Sequence, residues 1–246
     1  MEKSFSNTVS EIKRLYFSHK YRDELLGEWG AFIFYRWISF YASALLVKYE
    51  ITATTVTWVS LFLCFTLPLV LLVNPDTAYI YLGLGGVTIA ILDCVDGNIA
   101  RVTNTTSLKG QYLDFITDIF YRIFLYTVLG FLIQNNSISD TFLSRFSAFL
   151  CLIAALLAII ARLCRDYAEK IFLEEKRLNS SPDKITTDNN IQSIIFSFLS
   201  GLDLLLPVFI LIAGIYGSLF WVMVWVLFYS SLDFTYTQFN ICRRVQ

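Results

Sequence analysis

An all-α integral membrane protein, with six transmembrane helices preceded by an N-terminal interfacial amphipathic helix, is the fold class this sequence predicts. Three observations point there. Charged residues make up 16% of the chain and hydrophobic ones 56%, whereas soluble domains carry about 25% charged residues. Several apolar runs approach the roughly 20 residues that cross a bilayer as a helix. Lys and Arg alternate between successive connections, as they do in multi-pass proteins. The formal net charge of −1 leaves no basic excess, so nucleic acid is not an expected partner.

Each element follows in order. Met1 to Lys20 is polar and charged and lacks the apolar core of a cleaved secretory signal. Residues 8–28 mix polar and apolar positions, a surface-helix pattern. Residues 29–49 read as an amphipathic helix at the interface, with Arg36 and Lys48 towards lipid headgroups; a seventh span at 29–47 is the alternative. Six spans follow, at about 52–73, 78–100, 111–133, 143–165, 191–214 and 217–237. Asn74-Pro75-Asp76 marks the first turn. Residues 166–190 are polar, a loop or surface helix, and Gly201, Asp203 and Pro207 interrupt the fifth span. The connections at 74–77, 134–142 and 214–217 hold no Lys or Arg, whereas the other connections and both termini do. This pattern puts both termini in the cytoplasm and the mouth of the second and third spans on the cytoplasmic side. The chain then divides into a cytoplasmic N-terminal segment with its interfacial helix, 1–50, and a transmembrane catalytic domain, 51–246. The five cysteines do not form a close pair and mostly lie in apolar runs, so they read as packing residues.

The chemistry concentrates between the second and third spans, in Asp93, Asp96, Gly97, Ala100 and Arg101, then Gly110, Asp114 and Asp118. A carboxylate near the bilayer centre costs about 2.5–3.5 kcal/mol on insertion scales, so four together require an offset, which bound metal would supply. Asp93 and Asp96 are three residues apart at a helix end, and Asp114 and Asp118 are four apart on one face of the next helix. A short connection lets the two helices pack antiparallel and bring the pairs together. The only histidine is the distant His19, so the donors suit Mg²⁺ or Mn²⁺ rather than zinc. Four carboxylates can hold two ions, an arrangement suited to phosphoryl displacement. Gly97, Ala100 and Gly110 lack bulk and allow a ligand to approach. Arg101 offers a bidentate phosphate contact or a membrane anchor, and Thr106 and Ser107 offer hydrogen-bond donors.

The order D-x-x-D-G-x-x-A-R, eight residues, G-x-x-x-D-x-x-x-D resembles the defining motif of the CDP-alcohol phosphotransferase (phosphatidyltransferase) family, and every fixed position is present. With each residue type at roughly 5% frequency, a chance match is on the order of 10⁻¹⁰ per start position. Residues 51–57 are similar to the family's approach to the first span, with Ala53 and Thr54 where Pro and Asn are usual. The resemblance covers about 36–122. It implies a six-helix bundle behind an interfacial helix, usually a homodimer. It implies an enzyme that moves a phosphate-linked alcohol from a CDP-alcohol to an acceptor hydroxyl and releases CMP, a transferase of substituted phosphate groups. By the same resemblance Asp93, Asp96 and Asp114 hold two metal ions. Asp118 completes the second metal site and acts as general base. Gly97, Arg101 and Ser107 match positions that contact the CDP moiety.

Two other functions compete. A UbiA-like membrane prenyltransferase also uses metal and Asp-rich motifs, but on two separated helix pairs. An ion transporter would place carboxylates deep in several spans, and beyond the cluster only Asp203 is a clear candidate. Arg122, Arg162 and Arg165 are candidates for an acceptor phosphate or carboxylate, or for headgroup anchors. Asp203, next to Gly201, reads as a cavity residue or the start of the fifth span, the second being favoured. CDP-diacylglycerol is the favoured donor, as the commoner use of the family, with a role in phospholipid or lipid-precursor synthesis.

Overall fold

The computed structural model describes residues 5–27, 29–136, 142–179 and 198–245. Among them all regular structure is helical. Four short helices come first: α1 (Phe5–His19), α2 (Tyr21–Gly27), α3 (Trp29–Phe34) and α4 (Arg36–Lys48). The long ones follow as α5 (Ala53–Thr66), α6 (Pro75–Val102), α7 (Leu108–Asn136), the single turn α8 (Phe142–Arg145), α9 (Ser147–Asn179), α10 (Leu206–Ile215) and α11 (Leu219–Val245). Five stretches among the described residues are long and apolar enough to cross a membrane: Ala53–Leu72, Asp76–Val102, Leu108–Asn135, Ser147–Phe172 and Leu219–Arg243.

Local chemistry sets the boundaries. Thr52 caps α5 by accepting from the Thr55 amide at 3.3 Å. The helix tightens to 3₁₀ form over Leu67–Leu72. Pro68 has no N–H to give the Cys64 carbonyl, and the Leu67 amide takes that carbonyl instead. Asn74 caps α6 by accepting from the Asp76 amide, with Pro75 in the first turn. Asn104 takes the left-handed conformation (φ 53°) in the turn between α6 and α7, which asparagine tolerates.

The predicted fourth span continues further than expected. α9 runs from Ser147 to Asn179 in one helix, through the first part of the 166–190 stretch read as a loop or a surface helix. Glu, Lys, Arg, Leu and Ala dominate there without Gly or Pro, so the helix has no reason to stop. Part of the predicted fifth span, 191–197, lies outside the described residues. Residues 198–203 are helical, the chain breaks at 204–205, and α10 follows. At about 1.5 Å per residue the ten residues of α10 cover about 15 Å, half of a roughly 30 Å hydrocarbon layer. Pro207 begins α10, and the Tyr35 hydroxyl donates to the Leu204 carbonyl in the break at 2.9 Å.

The core gathers Leu82 and Ile89 of α6, Leu125 and Leu129 of α7, Cys151 and Ala154 of α9, Ile210 of α10 and Met223 of α11. α7 and α9 approach backbone to backbone. A Cβ on Gly130 would meet Ala148 Cα and the Ser147 carbonyl at 2.7 Å, and Ser147 Oγ donates to the Gly130 carbonyl at 2.8 Å. Cys64, Cys94 and Cys151 are buried free thiols, as their apolar surroundings suggested.

Arg36 departs from expectation. It does not face headgroups but is 2% exposed, paired with Glu24 at 2.8 Å, with the Tyr16 ring 5.0 Å away. A partner carboxylate inside the fold makes burial of the guanidinium tolerable. Burial, reinforced by the Glu24 carboxylate, pushes the Tyr16 phenol up.

Candidate functional site

A cavity of about 170 Å³ opens where α5, α6, the 103–107 turn and α7 meet. α5 contributes Ala53, Thr54 and Thr57; α6 contributes Asp96, Gly97, Ala100 and Arg101. The turn contributes Thr105, Thr106 and Ser107, and α7 contributes Gly110, Gln111 and Asp114. Every sequence-predicted nucleotide-contact residue therefore lines one space, with two of the four carboxylates.

Helical spacing explains the convergence. Asp93, Asp96, Gly97, Ala100 and Arg101 recur at three- and four-residue steps along the last turns of α6, so they share a broad face. Gly110 and Asp114 do the same on the first turns of α7. Ser107 Oγ accepts from the Gly110 amide at 3.1 Å and so caps α7. Its hydroxyl hydrogen stays available to donate into the cavity. A Cβ on Gly97 would come within 3.2 Å of an Arg101 terminal nitrogen, so the guanidinium lies across it.

Asp96 is 8% exposed and accepts from Thr57 Oγ1 at 2.7 Å. Asp93, Asp96 and Asp114 lie close enough together for their charges to interact, and a cation among them would offset that repulsion. The donor set is hard oxygen throughout, since Cys94 is buried away from it beside Ala31 and Tyr35. These groups fit a divalent ion such as Mg²⁺ or Mn²⁺ in type. Among the described residues, however, no three Asp, Glu, His or Cys side chains already stand at the spacing of ligands around one ion.

Asp118 lies one turn beyond Asp114 on α7 and is not among the residues lining the cavity. Arg162 of α9 forms an ion pair with its Oδ2, and Arg122 Nε lies 3.5 Å from the same oxygen. Arg122 in turn reaches Asp203 Oδ2 at 3.1 Å, and Tyr126 donates to Asp203 Oδ1 at 3.1 Å. Asp203 is therefore a buried partner inside the bundle (7% exposed) and more than the start of a span. Arg165 pairs with Asp233 at 2.5 Å and with Thr237 at 2.8 Å. All three arginines considered for an acceptor or for headgroups have carboxylate partners within the fold.

Sequence reasoning missed four polar residues around the cavity. Thr57 holds Asp96. Asn98, 2% exposed, accepts from Arg101 at 3.0 Å and from Arg36 at 3.4 Å. Arg36 and Glu24 stand behind it. The available signal was polarity out of place: an Asn within the apolar second span three residues before Arg101, and an Arg in the apolar run at 29–47.

A family model described as CDP-alcohol phosphatidyltransferase matches residues 50–200 of the chain. No curated protein matches it. The match covers more than half of the 246 residues, contains the whole cavity, and agrees with the motif resemblance and with the five apolar helices. The chain belongs to the CDP-alcohol phosphatidyltransferase family, a family of transferases.

Proposed function

We propose that this protein transfers a phospho-alcohol group from a CDP-alcohol donor to an acceptor hydroxyl, releasing CMP, in the synthesis of phospholipids or lipid precursors. The observation that carries this reading is the single cavity holding Asp96, Gly97, Ala100, Arg101, Ser107, Gly110 and Asp114. Arg101 grips a donor phosphate oxygen pair, and the Ser107 hydroxyl donates to another phosphate oxygen. Gly97, Ala100 and Gly110 leave the space the nucleotide occupies. Asp93, Asp96 and Asp114, with Asp118, would hold two Mg²⁺ or Mn²⁺ ions. When bound, such ions neutralise pyrophosphate charge and stabilise the charge that develops at phosphorus. The acceptor oxygen forms a bond to the phosphorus of the phospho-alcohol, the bond from that phosphorus to the CMP oxygen breaks, and Asp118 takes the acceptor's proton. Arg162 forms an ion pair with Asp118 and Arg122 lies beside it, contacts that hold the carboxylate in place. The donor we favour is CDP-diacylglycerol, and a homodimer is part of the same proposal; both rest on the family.

The direct test is CMP release by the purified protein with Mg²⁺ or Mn²⁺ across a panel of CDP-alcohols and acceptors. One donor and acceptor pair is expected to yield CMP, and Asp114→Asn to abolish it. If no CDP compound binds, the reading is wrong.

The same proposal includes six spans, the fifth within 191–214, both termini in the cytoplasm, and α4 at the membrane surface. Alternation of Lys and Arg supports the topology. The exposed Trp37, Ile38 and Tyr41 on α4, opposite buried Ser39, Phe40 and Ser43, support the interfacial placement. The 74–77 turn is then outside. Asp76→Cys, in a background lacking the native cysteines, is expected to react in intact cells with a thiol reagent that cannot cross membranes. Labelling only after the membrane is opened would reverse the topology.

A further inference from the structure

Arg101 is restrained from two sides. Its guanidinium lies across Gly97, and its Nη2 donates to Asn98 Oδ1 at 3.0 Å. The orientation of the Asn98 amide is itself settled by its neighbours. Its nitrogen donates to Ser39 Oγ at 3.1 Å and Ser43 Oγ at 3.3 Å. Those hydroxyls direct their own hydrogens to backbone, Ser39 to the Arg36 carbonyl at 2.8 Å and Ser43 to the Ser39 carbonyl at 2.6 Å. The two hydroxyls therefore accept from the amide nitrogen, and the amide oxygen must face the guanidinium groups of Arg101 and Arg36. Arg36 is fixed in turn by Glu24, at 3.0 Å from Nε and 2.8 Å from Nη2. Glu24, Arg36 and Asn98 are each 1–2% exposed, so water does not compete for these bonds.

We infer that Asn98 is a positioning residue for Arg101, and that helices α2 and α4, which precede the matched family region, hold it in place through Glu24, Arg36, Ser39 and Ser43. The inference rests on the reading of Arg101 as a donor-phosphate contact. A long arginine at a cavity wall loses rotamer freedom when it grips a ligand, and a side chain already held loses less. The wall built by Asn98 thus raises donor affinity without touching the donor.

The test is CDP binding to the full-length protein in detergent with Mg²⁺, by calorimetry, for wild type, Arg101→Ala, Asn98→Ala and the double variant. Arg101→Ala is expected to weaken CDP binding about tenfold or more, the range of a charge-assisted bond. Asn98→Ala is expected to weaken it about fivefold, and the double variant to bind no worse than Arg101→Ala, because the two act as one unit. Asn98→Asp keeps an acceptor oxygen towards both arginines and is expected to bind within about twofold of wild type. In turnover, Asn98→Ala should raise the donor KM and leave kcat at saturating donor unchanged. If Asn98→Ala does not fold, Asn98→Thr replaces it, since its hydroxyl turns back to the helix carbonyls. Losses that add in the double variant, or an unchanged CDP affinity in Asn98→Ala while Arg101→Ala loses it, overturn the inference and leave the proposed function standing. Absence of CDP binding in the wild type removes both.

Discussion

Asp118→Asn is expected to lower CMP release by about three orders of magnitude, within the 10²–10⁴ range of general-base catalysis. The substitution preserves shape and removes the proposed proton acceptor. Arg122 keeps Asp203 as a partner at 3.1 Å, whereas Arg162 loses its ion pair and keeps only the amide oxygen as an acceptor. CDP binding should persist but weaken modestly, because Asp118 lies outside the cavity lining yet is proposed to complete the second metal site. Single-turnover measurement of CMP release separates the chemical step from product loss. A rate within tenfold of wild type would remove Asp118 as the base and point to another proton acceptor.

Glu24→Ala carries the largest expected loss of stability. Its side chain is fully buried beside an Arg36 side chain of 3% exposure. Removing one member of such a pair leaves the other charged and desolvated, which costs about 3–5 kcal/mol. Thermal unfolding in detergent should show a large drop. Glu24→Gln, which retains one acceptor oxygen, should lose less. Replacing both residues together, Glu24→Leu with Arg36→Met, should regain much of the loss, since an apolar pair of similar volume needs no compensation. An unchanged melting curve in Glu24→Ala would mean that water reaches Arg36.

Much of this was legible in the sequence, and the reason is physical. The second and third spans were placed by largely apolar runs bounded by a Pro turn and a polar turn. The residues of the motif meet because helical spacing puts them on facing walls, a relation fixed locally. What was not legible depends on partners distant in sequence. Hydropathy registers that Arg36 or Asp203 is charged, but not that Glu24 or Arg122 waits to receive it. The two pairings span 12 and 81 positions. Arg162, read for an acceptor or a headgroup, is turned on Asp118 for the same reason. The continuity of α9 was left open because the polar stretch after 165 was read as a loop or a surface helix, and polarity marks only the end of an apolar surface.

The close contact at Gly130 and Ser147 has a mechanical consequence. α7 and α9 run antiparallel and are pinned there, while Asp118 on one and Arg162 on the other face each other near the opposite end. Asp118 lies 12 residues from Gly130, so the lever arm is about 18 Å. A tilt of about 5° about such a pivot changes the gap by about 1.5 Å at that radius, and hardly at all at the pin. The Asp118–Arg162 ion pair therefore acts as the clasp of a pair of scissors: a small tilt would part it while leaving the Gly130–Ser147 contact almost unchanged.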